Sequence, residues 1–245
     1  MKKVFLTLMA VLTVAALTCS CKKDPQPKPG PDDNPDEGGE VAENIITIDG
    51  EFDDWKALAN VAVAEVPDDE TGYPCLIKMK AVADKTNVYL YFEYVPADEQ
   101  TKAPITIEFD SDYDESTGFS DFHWASVGWD YALESSAGFL GTNAYMKIND
   151  FSLIIPKAGF DGQARAWDAG QNWTSGSAKG VKNRGKVTNG VYCFEINVPR
   201  TLLKAEKKGT LSVGTYVEDQ NWSETGILPI DDGMGMSEFL DVVLP

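Results

Sequence analysis

The run Val88-Tyr89-Leu90-Tyr91-Phe92-Glu93-Tyr94 constrains this chain more than any other feature. Val88, Leu90, Phe92 and Tyr94 alternate with Tyr89, Tyr91 and Glu93, a period of two that only an extended strand places on two faces. Ile105 and Ile107 lead into Phe109 in the same way, and residues 144–156 form another β-rich stretch with Tyr145, Ile148, Leu153 and Ile155. Residues 191–198 alternate cleanly, and further strands are predicted at 210–218 and 239–244. Pro199-Arg200-Thr201-Leu202-Leu203 reads as one short helical turn near 199–204, with proline at its start. Turn signals at 84–87, Asn189-Gly190 and Lys208-Gly209 separate these runs, and long helical periodicity is absent. The predicted class is all-β, an antiparallel β-sandwich of jelly-roll or immunoglobulin-like wiring.

The N-terminal fifth reads differently. Lys2 and Lys3 precede an apolar run from Val4 to Leu17, shorter than the roughly 20 residues a membrane helix needs. A positive start, a short apolar core and small exit residues mark a secretory signal over residues 1–20. The exit Leu17-Thr18-Cys19-Ser20-Cys21-Lys22 resembles the lipobox of bacterial lipoproteins, which implies cleavage before Cys21 and its lipidation. The family prefers leucine where Thr18 stands, and Cys21 fits better than Cys19 because small Ser20 precedes it. Residues 22–44 hold Pro25, Pro27, Pro29, Pro31 and Pro35 among many acids. Such a segment buries little apolar surface and is expected to be extended. At about 3.1 Å per residue it reaches roughly 70 Å, enough to hold a domain over 45–245 well away from an outer-membrane anchor at the cell surface.

The formal net charge is −18, and losing Lys2 and Lys3 would leave 19 basic residues against 39 acidic ones. Nucleic acid and anionic lipid are poor partners for that balance, so any membrane contact is expected through the lipid alone. Neutral sugars and divalent cations remain compatible with it. Cys75 is predicted to share a buried face with Ile77 and Met79, whereas Cys193 sits opposite Tyr192, Phe194, Ile196 and Val198. Divergent side-chain directions favour two packed thiols over the alternative, a Cys75–Cys193 disulfide.

Three segments combine into a wider resemblance. Ile48-Asp49-Gly50-Glu51-Phe52-Asp53-Asp54-Trp55 opens the domain, Ile107-Glu108-Phe109-Asp110-Ser111-Asp112-Tyr113-Asp114 stands in its middle with Ser116-Thr117-Gly118-Phe119, and Gly128-Trp129-Asp130-Tyr131 follows. Their order resembles carbohydrate-binding module family 9 and its DOMON-like relatives, over about residues 45–245. The resemblance implies a β-sandwich, sugar binding by aromatic rings and, in some members, structural calcium.

The residues themselves point the same way. Asp110, Asp112, Asp114 and, farther on, Asp121 offer alternating carboxylates that can converge on one hard cation such as Ca²⁺. Glu115 occupies the position where an EF-hand requires glycine, so a calcium site of another kind is expected, the alternative being a solvated acidic turn. Trp124, Trp167, Trp173 and Trp222 lie in polar, glycine-rich sequence suited to stacking against a sugar's C–H face. Gln171-Asn172-Trp173-Thr174 and Gln220-Asn221-Trp222-Ser223 repeat one order, each setting a ring beside two amides able to bond hydroxyl groups. Two similar structural turns would give the same echo. Trp55 and Trp129 are read as packing residues.

Enzyme signals are sparse. His123 is the only histidine, which excludes histidine-rich zinc sites, and no Gly-x-Ser-x-Gly elbow, phosphate loop or Cys-x-x-Cys occurs. The expected function is a membrane-tethered, non-catalytic protein that captures poly- or oligosaccharide by aromatic stacking. The alternatives are a structural or protein-interaction lipoprotein and, less favoured, a glycoside hydrolase.

Overall fold

The computed structural model describes residues 44–66, 75–95, 104–119, 123–124, 128–135, 139–140, 147–148, 151–156, 173–219, 221–230 and 238–245. All belong to one compact unit, Glu40–Pro245. The signal segment, Cys21 and the proline-rich linker to residue 43 lie outside the described residues.

The fold is an antiparallel β-sandwich. Its five-stranded sheet runs in the order β1 (Ala62–Glu65), β2 (Leu76–Ala83), β3 (Asn87–Tyr94), β11 (Val191–Pro199), β10 (Lys182–Thr188). The opposing sheet runs β13 (Glu224–Leu228), β12 (Gly209–Glu218), β4 (Ile105–Asp110), β5 (Tyr131–Ser135), β8 (Ser152–Pro156), β9 (Trp173–Ser177). The ten-residue β12 pairs through its first half with β14 (Leu240–Leu244) and through its second with β13. A short ribbon of β6 (Phe139–Leu140) and β7 (Lys147–Ile148) stands apart. Met79, Leu90, Phe92, Phe194 and Ile196 from one sheet meet Ile105, Ile107, Phe109, Leu133 and Val213 from the other, all with no exposed surface. Truncating a ring in such a layer costs about 3–5 kcal/mol.

The expected strands are present, with instructive departures. The stretch 144–156 divides into β7 and β8. A bulge between Leu76 and Lys78 turns Leu76 inward and leaves Ile77 only half-buried, so Ile77 does not share the buried face expected for it. The turn at Asn189-Gly190 joins β10 to β11 with both residues at positive φ (53° and 83°), as a two-residue hairpin requires. The helical turn after Pro199 is present, with Leu202 and Leu203 amides bonded to the Pro199 and Arg200 carbonyls. Strands β1, β5, β9, β10 and β13 carry too many polar, small or charged residues for periodicity alone to mark them.

Strand β3 carries the alternation of a half-buried strand, but both of its faces are covered. The covering element is the opening segment, whose Ile46 and Trp55, the latter on the short helix α1 (Asp54–Ala57), pack on Tyr89, Tyr91 and Cys193. Trp55 thus seals the outside of the five-stranded sheet instead of entering the inter-sheet core. Buried Glu195 fastens the segment: its Oε1 accepts the Asp49 and Gly50 amides at 2.7 and 2.6 Å. Asp84 accepts the Asn44 amide at 2.6 Å and the Tyr89 hydroxyl at 2.8 Å. Buried Arg200 donates to the carbonyls of Asp84, Ala205, Lys207 and the terminal residue Pro245. Both ends of the described chain are therefore tied to one corner.

Cys75, just before β2, and Cys193, on β11, are buried thiols not joined by a disulfide, the first in the inter-sheet core and the second under the opening segment. At the outer edge of that sheet, Asn183 accepts the Ile148 amide (2.7 Å) and donates to the Ile148 carbonyl (2.9 Å). One side-chain amide thereby joins β10 to the β6–β7 ribbon.

Candidate functional site

The seven-stranded sheet turns Ile105, Ile107 and Phe109 into the core, so Thr106, Glu108 and Asp110 face outward. The strands of this sheet contain no lysine or arginine, while Glu108, Asp110, Glu134, Glu218, Glu224 and Asp241 lie on them. Phe119, Trp124, Trp129, Ile154, Tyr216, Ile227 and Phe239 form an aromatic layer against this outer face.

Trp124, expected among the ligand-facing rings, belongs to that layer. It is 2% exposed, donates its indole N–H to the Pro229 carbonyl at 3.0 Å and meets Phe239 edge-on at 4.8 Å. The ring lies over Gly214, where a Cβ would come within 2.8 Å of Trp124 and 2.4 Å of Phe239. A small residue on β12 thus makes the slot that draws the indole inward, which sequence context around Trp124 did not reveal. Trp129 is buried at 2%, as read.

Trp222 stands open, with 59% of its surface exposed. It sits in the β12–β13 turn at φ 63°, a conformation uncommon outside glycine. Asp219 holds that turn. Its Oδ1 accepts the Asn221 and Ser223 amides at 2.7 and 2.9 Å, its carbonyl accepts the Trp222 amide, and its amide donates to Ser223 O. These bonds hold the Asp219 carboxyl below the usual carboxylate range. The result is a preorganised turn that presents the indole, with Asn221 next to it in the chain.

Trp173 is half-buried against the aromatic layer. On β9 it lies opposite Pro156 of β8, while Trp222 follows the far end of β12, beside β13. At about 4.8 Å per strand and 3.3 Å per residue, between four and five strand spacings and some 20 Å of strand length separate the two. The two echo segments therefore do not form one clamp. Gln171, Asn172, Gln220, Trp167 and Asp121 lie outside the described residues.

Beneath the Trp222 turn lies a second group of side chains, none of them anticipated from sequence. His123 stacks on Tyr216 (4.4 Å between ring centres, 16° between planes), and its Nε2 pairs with Glu224 Oε2 at 2.7 Å. Glu224 stands directly across from Glu218. Burial, reinforced by the charges of Glu134, Glu224 and Asp219 and opposed by His123, pushes the Glu218 carboxyl up to about 7. Glu134 is likewise raised by burial.

At the opposite end of the sheet, Asp110, Asp112 and Asp130 bring one carboxylate oxygen each within 4.8 Å of one another. Asp114, expected in this set, instead accepts the Ser116 amide and hydroxyl at 3.1 and 2.6 Å. The place expected for it is filled by Asp130, whose Oδ2 accepts the Ser111 amide and hydroxyl. The pairing of β4 with β5 explains the exchange: Phe109 faces Tyr131, so the residues just beyond, Asp110 and Asp130, become neighbours. Two glycines let the backbones meet there. A Cβ on Gly128 would lie 1.9 Å from Thr117 O, and one on Gly118 would lie 2.6 Å from Gly128 O. Burial and the charges of Asp130 and Asp112 push the Asp110 carboxyl up to about 6, against the Tyr113 and Asp114 amides that favour its charged form. Calcium–oxygen distances of about 2.3–2.6 Å let ligand atoms on one ion stand up to roughly 5 Å apart. The spacing and the all-oxygen donors therefore fit a hard divalent cation.

Two solved structures of carbohydrate-binding module family 9 are similar to this chain. A module of that family from Caldicellulosiruptor kristjanssonii in complex with glucose matches 84% of this chain and 94% of its own length, at 14% identity and a TM-score of 0.43. The complex of such a module from the same organism with cellotriose matches 81% and 89%, at 15% identity and a TM-score of 0.43. No protein-family model and no curated protein matches the chain.

Proposed function

We propose that this protein is a non-catalytic carbohydrate-binding lipoprotein, tethered to the outer membrane through Cys21 and the acidic linker, that captures a neutral poly- or oligosaccharide on Trp222. The observation that carries the reading is an exposed indole on a backbone that the Asp219 turn holds at positive φ. A backbone ordered before binding leaves only the two side-chain torsions of the indole to be fixed on contact, and a pyranose C–H face is the ring's complement. Asn221 supplies amide chemistry for hydroxyl groups beside that ring. The lysine- and arginine-free strands of the seven-stranded sheet, with their six carboxylates, disfavour uronate and sulfated glycans, since like charges repel at close approach. Asp110, Asp112 and Asp130 would hold a structural Ca²⁺ in this proposal, pinning the loop that joins β4 to β5.

A glycan array probed with the domain from residue 45 onward, with Trp222→Ala alongside, tests the proposal. Retention by the native domain and its loss in the variant support it. A flat array together with a stable protein complex in pull-down would move the assignment to a protein-interaction lipoprotein.

A further inference from the structure

We infer that Tyr113 is a second sugar-stacking platform, and that Tyr113 and Trp222 hold one extended neutral polysaccharide chain at two points. The inference rests on the carbohydrate reading and deepens it, from a single ring to a long chain as the ligand.

Among the described residues, two aromatic side chains are more than half exposed, Trp222 at 59% and Tyr113 at 54%. Both stand at positive φ, 63° and 58°, where the other non-glycine residues are three asparagines and one lysine. Bulky residues avoid that region, and strain of this kind gathers at ligand clamps. The two turns share one construction. Asp110-Ser111-Asp112-Tyr113 begins on the last residue of β4, and Asp219-Gln220-Asn221-Trp222 begins just past the end of β12. Each has aspartate first, aspartate or asparagine third and the ring fourth. Asp110 Oδ1 accepts the Tyr113 and Asp114 amides at 2.7 and 3.3 Å, as Asp219 Oδ1 accepts those of Asn221 and Ser223. Tyr113 has a further restraint, because its hydroxyl donates to Asp241 Oδ2 on β14 at 2.9 Å. The ring is therefore tied at its backbone and at its tip.

The surroundings suit a hydroxyl-rich, uncharged ligand. Val243, 75% exposed, stands two residues beyond Asp241 on the same side of β14 and widens the apolar floor. The carboxylates of Asp112, next in the chain, and of Asp241 can accept hydrogen bonds from hydroxyl groups, and they repel anionic sugars. Register then sets the spacing. Strands β4 and β12 are antiparallel neighbours, with Asp110 opposite Ser212 and the Glu218 amide bonded to the Pro104 carbonyl. The two turns thus leave opposite ends of adjacent strands. From Ser212 to Glu218, six residues on, the strand covers roughly 20 Å. That interval exceeds a mono- or disaccharide. One ring face is a weak contact, whereas two contacts joined through a single chain reinforce each other by raising effective concentration.

Migration of the intact protein through native gels containing hydroxyethylcellulose, xylan or galactomannan tests the inference. In the gel that retards the native protein, Tyr113→Ala should lose at least about tenfold in affinity, as Trp222→Ala does. Tyr113→Phe keeps the ring and frees its tip, so its affinity should fall between native and alanine. Native-like retardation of Tyr113→Ala overturns the second platform and leaves the Trp222 reading standing. A phenylalanine variant as weak as the alanine one also overturns it, since the ring would then not be the contact. Native-like retardation of Trp222→Ala beside a loss in Tyr113→Ala removes the Trp222 reading and the two-point grip. A native protein that no gel retards removes both readings. Should Tyr113→Ala not fold, nuclear magnetic resonance of the native protein with a hexasaccharide of the retarding polysaccharide decides. Shifted Tyr113 and Asp114 amides support the platform, and unshifted ones overturn it.

Discussion

The Glu195 carboxylate, on β11, accepts the Gly50 amide at 2.6 Å across 145 residues of sequence, and Asp49 donates to the same oxygen. The acceptor is fully buried, and burial raises its carboxyl above the ordinary range while the two amides hold it down. Replacing Glu195 with alanine strands two donors and opens the cover formed by Trp55. The expected loss is about 3 kcal/mol in urea unfolding, since hydrogen bonds to a charged group are worth about 1.5–3 kcal/mol each. A loss under about 0.5 kcal/mol would mean that the opening segment is not held by this carboxylate.

Stability should fall as pH rises from about 4.5 to 7. Glu218 titrates near 7 in the folded chain against 4.5 as its ordinary value, so the folded state binds more protons across that window. Stability declines with pH wherever the folded state holds the extra proton. The raised carboxyl of Asp110, to about 6 from 3.8, acts with the same sign in metal-free protein. Melting curves in chelator at pH 5 and pH 8 should show the higher temperature at pH 5, with Glu218→Gln narrowing the gap. Equal temperatures would contradict both shifts.

Calcium added to chelator-treated protein should raise the melting temperature and release heat. At a hundredfold excess over the dissociation constant, the stabilisation is about 2.7 kcal/mol. Asp130→Asn and Asp110→Asn should abolish the effect, whereas Asp114→Asn should retain it, because Asp114 serves Ser116 instead. A titration without heat or thermal shift, in native protein, removes the cation.

Trp222→Ala and Trp124→Ala should separate binding from folding. The exposed ring of Trp222 contributes little to packing, so its loss should change stability by under about 0.5 kcal/mol while ending glycan retention. Trp124, enclosed by Phe239, Tyr216 and His123, should cost about 3–5 kcal/mol on truncation. Unfolding midpoints measured beside an affinity gel give both quantities.

How much of this was legible before the structure depends on where the determining contact lies. The apolar alternation of Val88–Tyr94 and of 191–198 marked central strands because that pattern is local. The second covered face of β3 was not legible, since its partner Trp55 arrives from outside the sheet. The same distinction divides the site residues. The acidic loop was visible as a composition, yet the exchange of Asp114 for Asp130 follows from strand register. The Gly128-Trp129-Asp130-Tyr131 segment was on the page, and a hairpin assumption joining it to Ile105–Asp110 would have found Asp130. Trp124 and Trp222 sit in equally polar sequence. Only the slot over Gly214 and the Asp219 turn send one inward and the other out.

The Asn183 clasp carries a consequence for life at high concentration. A sheet's last strand ordinarily offers a row of free donors and acceptors onto which a foreign strand can zip. Here one amide side chain satisfies both Ile148 groups and holds the chain's own ribbon against the Asn183 end of β10, so that part of the border is already occupied. A copy approaching in a crowded setting finds that end of the edge blocked, which shortens the stretch a foreign strand could align with.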